Sequence, residues 1–398
     1  MSIPVASSPG PRPPSKPTRF PVLALGFRTF YLLAGAFGAL SIGLWAVQLS
    51  GRFSATQLLG AAHWHAHEML FGYTLAVITG FLFTAVRNWT QLPTPTGAPL
   101  AFLAAVWLAG RVLALTAWRE WAMVTDTLFV LGVAASIGRP LISAGNYRNF
   151  FFVFLVLALG AANLAFYTAL IGTAPFSPGE ALGVGLDLVL IIVAIIAGRV
   201  VPMFTNNAVP GAGARRAHAV EVAALGSLLV LLVADLYGQA LVAAMAAAGG
   251  ALAHGARLVL WAPLKTRRNP LLWILHASYG WIVVHLALRA AAEFEWITPG
   301  PATHALTIGV IGGMTLGMMT RTARGHTGRA LAAGRAETTC YALIQLAAAA
   351  RVLLPIAWPA AYLSATLLSG ALWSLAFAIF TATYWPILTR PRADGRAG

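Results

Sequence analysis

Apolar runs of about 20 residues recur from one end of this chain to the other, separated by short connections that carry most of its charge. Each run has the length an α-helix needs to cross a hydrocarbon layer of about 30 Å at 1.5 Å per residue. With that ruler the runs fall at 25–49, 67–86, 100–117, 121–137, 150–171, 181–201, 219–237, 240–261, 271–292, 303–320, 338–357 and 360–385. The sequence therefore predicts an all-α, polytopic integral membrane protein of about 12 transmembrane helices. Composition supports this: 59% of the 398 residues are hydrophobic, 9% are charged and mean hydropathy is +0.77, against roughly a quarter charged residues in soluble domains. Near Gly238 and Trp358 the connections are so short that each flanking pair reads either as two helices or as one bent one.

The net charge of +15 would suggest nucleic acid in a soluble protein, but here its placement follows membrane topology. Arg12, Lys16, Arg19 and Arg28 precede or open the first run. Alternate connections then hold Arg87; Arg139 and Arg148; Arg199, Arg215 and Arg216; Lys265, Arg267 and Arg268; Arg321, Arg324, Arg329 and Arg335; and finally Arg390, Arg392 and Arg396. The intervening connections hold Arg52 and Arg119 beside the acidic Glu120, Glu180, Glu293 and Glu295. The excess of Lys and Arg marks cytoplasmic connections, so both termini are expected in the cytoplasm of a multi-pass protein that contacts lipid and binds no nucleic acid. Residues 1–18 are rich in Pro and Ser without an apolar core, which predicts a disordered tail rather than a cleaved signal. The expected organisation is a tail at 1–20, one 12-helix domain at 21–388 and a cytoplasmic tail at 389–398.

Cys340 is the only cysteine, which excludes a disulfide framework and a cysteine-built metal cage. A metal would need His, Met or carboxylate ligands. Ionisable residues within spans are costly and call for partners. Projected along the helix rise, Arg111 and Asp126 share a depth on consecutive spans and predict an ion pair, and Asp187 matches Arg351 in depth alone. Arg257 and Arg289 have no evident carboxylate, which suggests that they hold an anionic ligand group.

The histidines divide between the two sides of the bundle. His63, His65, His67 and His304 fall at outer span ends, with His285 about 10 Å inward; His218, His254, His276 and His326 belong to the cytoplasmic half. In His63-Trp64-His65-Ala66-His67-Glu68 a helix would place His63 and His67 on one face, and an extended segment His63 and His65. Two imidazoles converge either way, a pattern suited to haem iron or copper with Glu68 orienting a ring. Interfacial placement of amphipathic rings would account for one such histidine, but less readily for three in five residues plus His304 at the same depth. His254 and His276 lie close enough in depth to share a ligand or to be structural. Met314, Met318 and Met319 read as core, and Gly309, Gly312, Gly313 and Gly317 as a close-packing face.

Several blocks together resemble the NnrS family of bacterial membrane proteins. They are Trp64-His65-Ala66-His67-Glu68-Met69-Leu70-Phe71-Gly72; Gly80-Phe81-Leu82 running to Asn88-Trp89-Thr90; and Gly198-Arg199-Val200-Val201-Pro202-Met203-Phe204-Thr205. Next come Pro270-Leu271-Leu272-Trp273 leading to His276 and Tyr279, and His304-Ala305-Leu306-Thr307-Ile308-Gly309 continuing through Met319-Thr320-Arg321 to Gly325-His326-Thr327-Gly328-Arg329. Arg87 departs from the pattern, standing before Asn-Trp-Thr where an uncharged residue is expected.

The resemblance implies a haem- and copper-containing protein of the bacterial cytoplasmic (inner) membrane, acting in the nitric oxide response, denitrification and nitrosative-stress protection. Of the histidines, His65, His67, His276, His304 and His326 lie in family-like blocks. The expected metal-ligand pool is His63, His65, His67, His276, His304 and His326, with His65, His67 and His304 on the outer side and Arg289 or Arg351 facing haem propionates. Glu68, His276 and Tyr279 are the candidates for proton or ligand roles, with Asp187 a further proton carrier. If the protein turns nitric oxide over, it would act as a metal oxidoreductase of the nitric oxide reductase type with an electron-donor protein. The lack of a His-His dipeptide separates the chain from the haem–copper oxidases and the nitric oxide reductases related to them. The rival readings are a secondary transporter and a haem or copper assembly factor.

Overall fold

A computed structural model of the protein describes residues 20–51 and 60–396. Arg12, Lys16, Arg19, Arg52 and the expected tail at 1–18 lie outside them. The described residues form twelve principal helices and no strand. They are α1 (Gly26–Leu49), α2 (Ala62–Thr90), α3 (Gly97–Leu113), α4 (Arg119–Ser143), α5 (Phe151–Leu170), α6 (Pro178–Ala208), α7 (His218–Leu236), α8 (Ala240–Leu260), α9 (Pro270–Glu293), α10 (Pro299–His326), α11 (Arg335–Ala357) and α12 (Tyr362–Thr389). All but α3 are long and apolar enough to cross a membrane, and α3 is a 17-residue apolar helix. The protein is a multi-pass membrane protein.

Polar ends extend several helices beyond their apolar runs. Ser177 caps α6, its hydroxyl accepting from the Glu180 amide (3.2 Å) while the Glu180 carboxylate accepts from the Ser177 amide (2.6 Å), with Pro178 pre-set in the first turn. Proline likewise opens α9 and α10. The short connections resolve as pairs of helices: Gly238 turns in the left-handed region (φ +64°) between α7 and α8, and a short turn at Pro359–Ala361 separates α11 from α12.

Successive helices pack against each other, and α1 closes on α12. At the centre lie α2 and α10, 89% and 72% of whose apolar windows are buried, against 28–61% for the other long helices. Both contain a π-helical stretch, Glu68–Thr74 in α2 and Ala305–Gly312 in α10. The Thr74 hydroxyl donates to Met69 O (2.8 Å), Trp107 Nε1 to Gly72 O (3.1 Å), and the Thr315 hydroxyl to Ile311 O (2.6 Å), satisfying carbonyls that the widened turn displaces. The Tyr73 and Thr315 hydroxyls meet at 2.6 Å and tie the two helices together. The glycine face of α10 is a packing face: Gly309 lies under Trp281, Gly312 under Trp373, Gly313 against Ser278 and Gly317 against Ile274 and Leu275.

With an even number of helices, the described chain ends share one side, here the near side, which also bears the arginine-rich connections. There Arg28 Nη1 donates to Leu388 O (3.0 Å) and Arg390 O (2.8 Å), and Arg392 Nη1 to His326 O (2.8 Å). The amide of Ala393 donates to Thr327 O (2.9 Å), so residues 390–396, expected as a tail, are laid against the end of α10.

Two expectations about buried charge are corrected. Arg257 has a carboxylate: Glu221 takes Nε at 2.9 Å and Nη2 at 2.6 Å. Arg289 is paired with Asp235 and Glu293, each at 2.7 Å. Asp187 and Arg351 line different cavities and are not partners.

Candidate functional site

The far side contains a cavity of about 950 Å³ of empty space, its open mouth included, set among α1, α2, α6, α10, α11 and α12. The two π stretches form much of its wall, through Met69, Leu70 and Tyr73 on one side and Thr307, Ile308 and Ile311 on the other. Three side chains that can bind a charged or metal-bearing ligand reach it: His65, His304 and Arg351. His65 stacks on Trp45 (ring centroids 4.2 Å, interplanar angle 20°). The His304 ring is fixed by Nδ1 against Gly300 O (2.7 Å), so Nδ1 carries the proton and the Nε2 lone pair is the one left for a ligand. Arg351 is buried, its Nη2 donating to the Tyr362 hydroxyl (2.9 Å) and its Nη1 finding no partner among the described residues.

His67, two residues from His65, belongs to a different environment. Helical residues two apart differ by about 200° in direction, so His67 faces α5 and not the cavity. Its Nδ1 meets Glu68 Oε1 and its Nε2 meets Asn163 Oδ1, both at 2.9 Å. Glu68 also accepts from Arg111 (2.9 Å), and Arg111 pairs with Asp126 as its depth predicted. Tyr167 donates to Asp126 at 3.1 Å. Both nitrogens of His67 and both carboxylates are thus committed to one dry network across α2, α3, α4 and α5, which leaves no imidazole lone pair for a metal.

The near-side histidines do not converge. The Tyr279 hydroxyl accepts from Arg257 Nη1 (2.9 Å) and bonds His254 Nδ1 (2.6 Å), whose other nitrogen donates to Ala224 O (3.0 Å). His276 Nε2 donates instead to the Thr205 hydroxyl (2.9 Å). His326 packs its ring at 5.7 Å from Phe27, and His63 is exposed at the far end beside Phe166 (6.3 Å). Among the described residues no three His, Cys, Asp or Glu side chains are grouped as for a metal ion. Of the expected ligand pool, the cavity therefore gathers His65 and His304, and of the two candidate arginines it takes Arg351.

Sequence reasoning passed over Asn163 and Tyr167, which complete the network, and Trp45, which positions His65. Asn163 and Tyr167 sit at helical spacing on an otherwise apolar α5, a signal that was present. Trp45 carried no such mark.

A chain whose described residues form twelve principal helices, eleven of them long and apolar enough to cross a membrane, belongs to the class of polytopic all-α membrane proteins. Within that class, the family model for NnrS protein matches residues 21–392, and the chain belongs to the NnrS family. No curated protein matches it.

Proposed function

We propose that the far-side cavity holds a haem with His304 and His65 as iron ligands, and that the protein binds nitric oxide there as part of a nitric oxide response. The observation that carries this is the pairing, in one cavity with largely apolar walls, of a histidine whose Nε2 lone pair is left bare by the Gly300 bond with a second histidine and a partly unsatisfied buried arginine. Bound haem would supply an iron that takes nitric oxide directly.

The chain's own residues account for the rest. His304, tethered through Nδ1, and His65, held by stacking on Trp45, would hold the haem iron. Arg351 provides the cation for propionate groups. The largely apolar walls favour a small uncharged ligand. His67, Glu68 and Arg111 hold α2 in place without touching the cofactor. Copper is assigned no residues, because among the described residues no three His, Cys, Asp or Glu side chains are grouped as for a metal ion. The Lys and Arg excess of the near side supports assigning it to the cytoplasm of a bacterial inner membrane, and on that reading the cavity faces outward.

The test is the absorption spectrum and metal content of protein purified in mild detergent, before and after anaerobic nitric oxide. Near-stoichiometric haem whose spectrum shifts with nitric oxide, lost in His304→Ala and kept in His67→Gln, is the expected result. A folded, colourless, metal-free wild-type protein would overturn the proposal.

A further inference from the structure

Beside the histidine cavity, and sharing Leu186 and Thr303 with it, lies a second chamber of about 710 Å³ of empty space, its mouth included. Its walls mix apolar and ionisable side chains. Asp187 of α6 and His285 and Arg289 of α9 line it, with Glu293 at the α9 end. Asp187 and His285 are both buried, at 4% exposure.

Each presents an atom with no partner. His285 Nδ1 donates to Ala302 O (2.8 Å), which leaves the Nε2 lone pair unbonded. Asp187 Oδ2 finds no donor among the described residues, and the nearby Arg289 guanidinium is taken by Asp235 of α7 and by Glu293 rather than by Asp187. A buried carboxylate with neither a donor nor a cation of its own is costly, and a proton removes that cost.

The surrounding charge leads to the same conclusion. Facing this site are Asp187 from α6, Asp235 from α7, and His285, Arg289 and Glu293 from α9, while α10 contributes Pro299, Ala302, Thr303 and Leu306. Arg289 alone carries a permanent positive charge, divided between Asp235 and Glu293 at 2.7 Å each. It neutralises one of three carboxyls. One proton on Asp187 leaves a single net negative charge, and a second proton on His285 Nε2 would cancel it.

We infer that this chamber is a water-filled proton-holding site, in which Asp187 retains one exchangeable proton and His285 Nε2 accepts another. The space admits several waters, each requiring polar partners, and Asp187 Oδ2 and His285 Nε2 supply them. That the site serves charge balance in the adjoining cavity rests on the haem reading; that it holds a proton does not.

The experiment is infrared spectroscopy of the full chain in lipid nanodiscs, in H2O and D2O at neutral pH. A protonated-carboxyl C=O band that shifts in D2O and disappears in Asp187→Asn is the expected result. Asp187→Glu, expected to shift the band rather than remove it, tests the same group if Asp187→Asn does not fold. A band unchanged in a folded variant, or one lost in the variant but insensitive to D2O, would overturn the inference. The band in place with no haem in the wild-type protein would support this inference while refuting the haem reading alone.

Discussion

At the residue scale, His65 and His67 show how far type and spacing alone can mislead. Both lie in the same family-like block, and an extended or a helical reading of the segment pairs them differently. Once the segment is helical, their opposite directions send one ring to the cavity and the other into a network of paired charges. The fate of each could be read only after the helix boundary was known. Depth matching served better: it found Arg111 with Asp126, and it would have found Arg257 with Glu221, which stand three residues from the facing ends of antiparallel α7 and α8. Removing one member of a buried pair leaves its partner uncompensated. Arg111→Ala is therefore expected to cost about 3–5 kcal/mol of stability in detergent unfolding. Arg216→Ala, at the half-exposed end of the Arg216–Glu221 bridge, should cost about 1 kcal/mol or less. Equal losses would show that the Arg111 network is solvated.

At the element scale, the helices were legible because burial in lipid demands long apolar runs. The π stretches were not, since an extra residue per turn leaves no trace in hydropathy. They nevertheless shape the cavity. The glycines of α10 were recognised as a packing face, and the structure supplies their partners. A Cβ at Gly309 would collide with the Trp281 ring, so Gly309→Ala should force α9 and α10 apart at a cost of about 1–3 kcal/mol. Gly226 on α7 has nothing within 4 Å of the same position. Gly226→Ala is expected to be neutral or to stabilise by about 0.5–1 kcal/mol. Melting temperatures of the two variants side by side decide this: the packing account fails if Gly309→Ala melts with the wild type.

At the scale of the whole molecule, alternating basic connections gave an even helix count, and the twelve principal helices agree with it. The orientation in the membrane is a separate expectation resting on the Lys and Arg bias. Leu264, 84% exposed, lies in a near-side connection, and Trp296, 77% exposed, in a far-side one. Cys340 is buried and should add little background. In intact cells a membrane-impermeant thiol reagent is expected to label Trp296→Cys and not Leu264→Cys, with the reverse in inverted vesicles. The opposite pattern would turn the cavity toward the cytoplasm.

The hydroxyl contact between Tyr73 and Thr315 joins α2 to α10 at the inner end of the first π stretch and just past the second. A residue in excess of the α-helical repeat behaves like a dislocation in a crystal, able to shift along a rod while the rod's ends stay put. With one such defect behind each ring-bearing turn and a bolt at their inner ends, His65 and His304 have slack that the near half of the bundle does not share. Ring movement at the cavity can then be taken up locally, and the arginine-studded face need not register it.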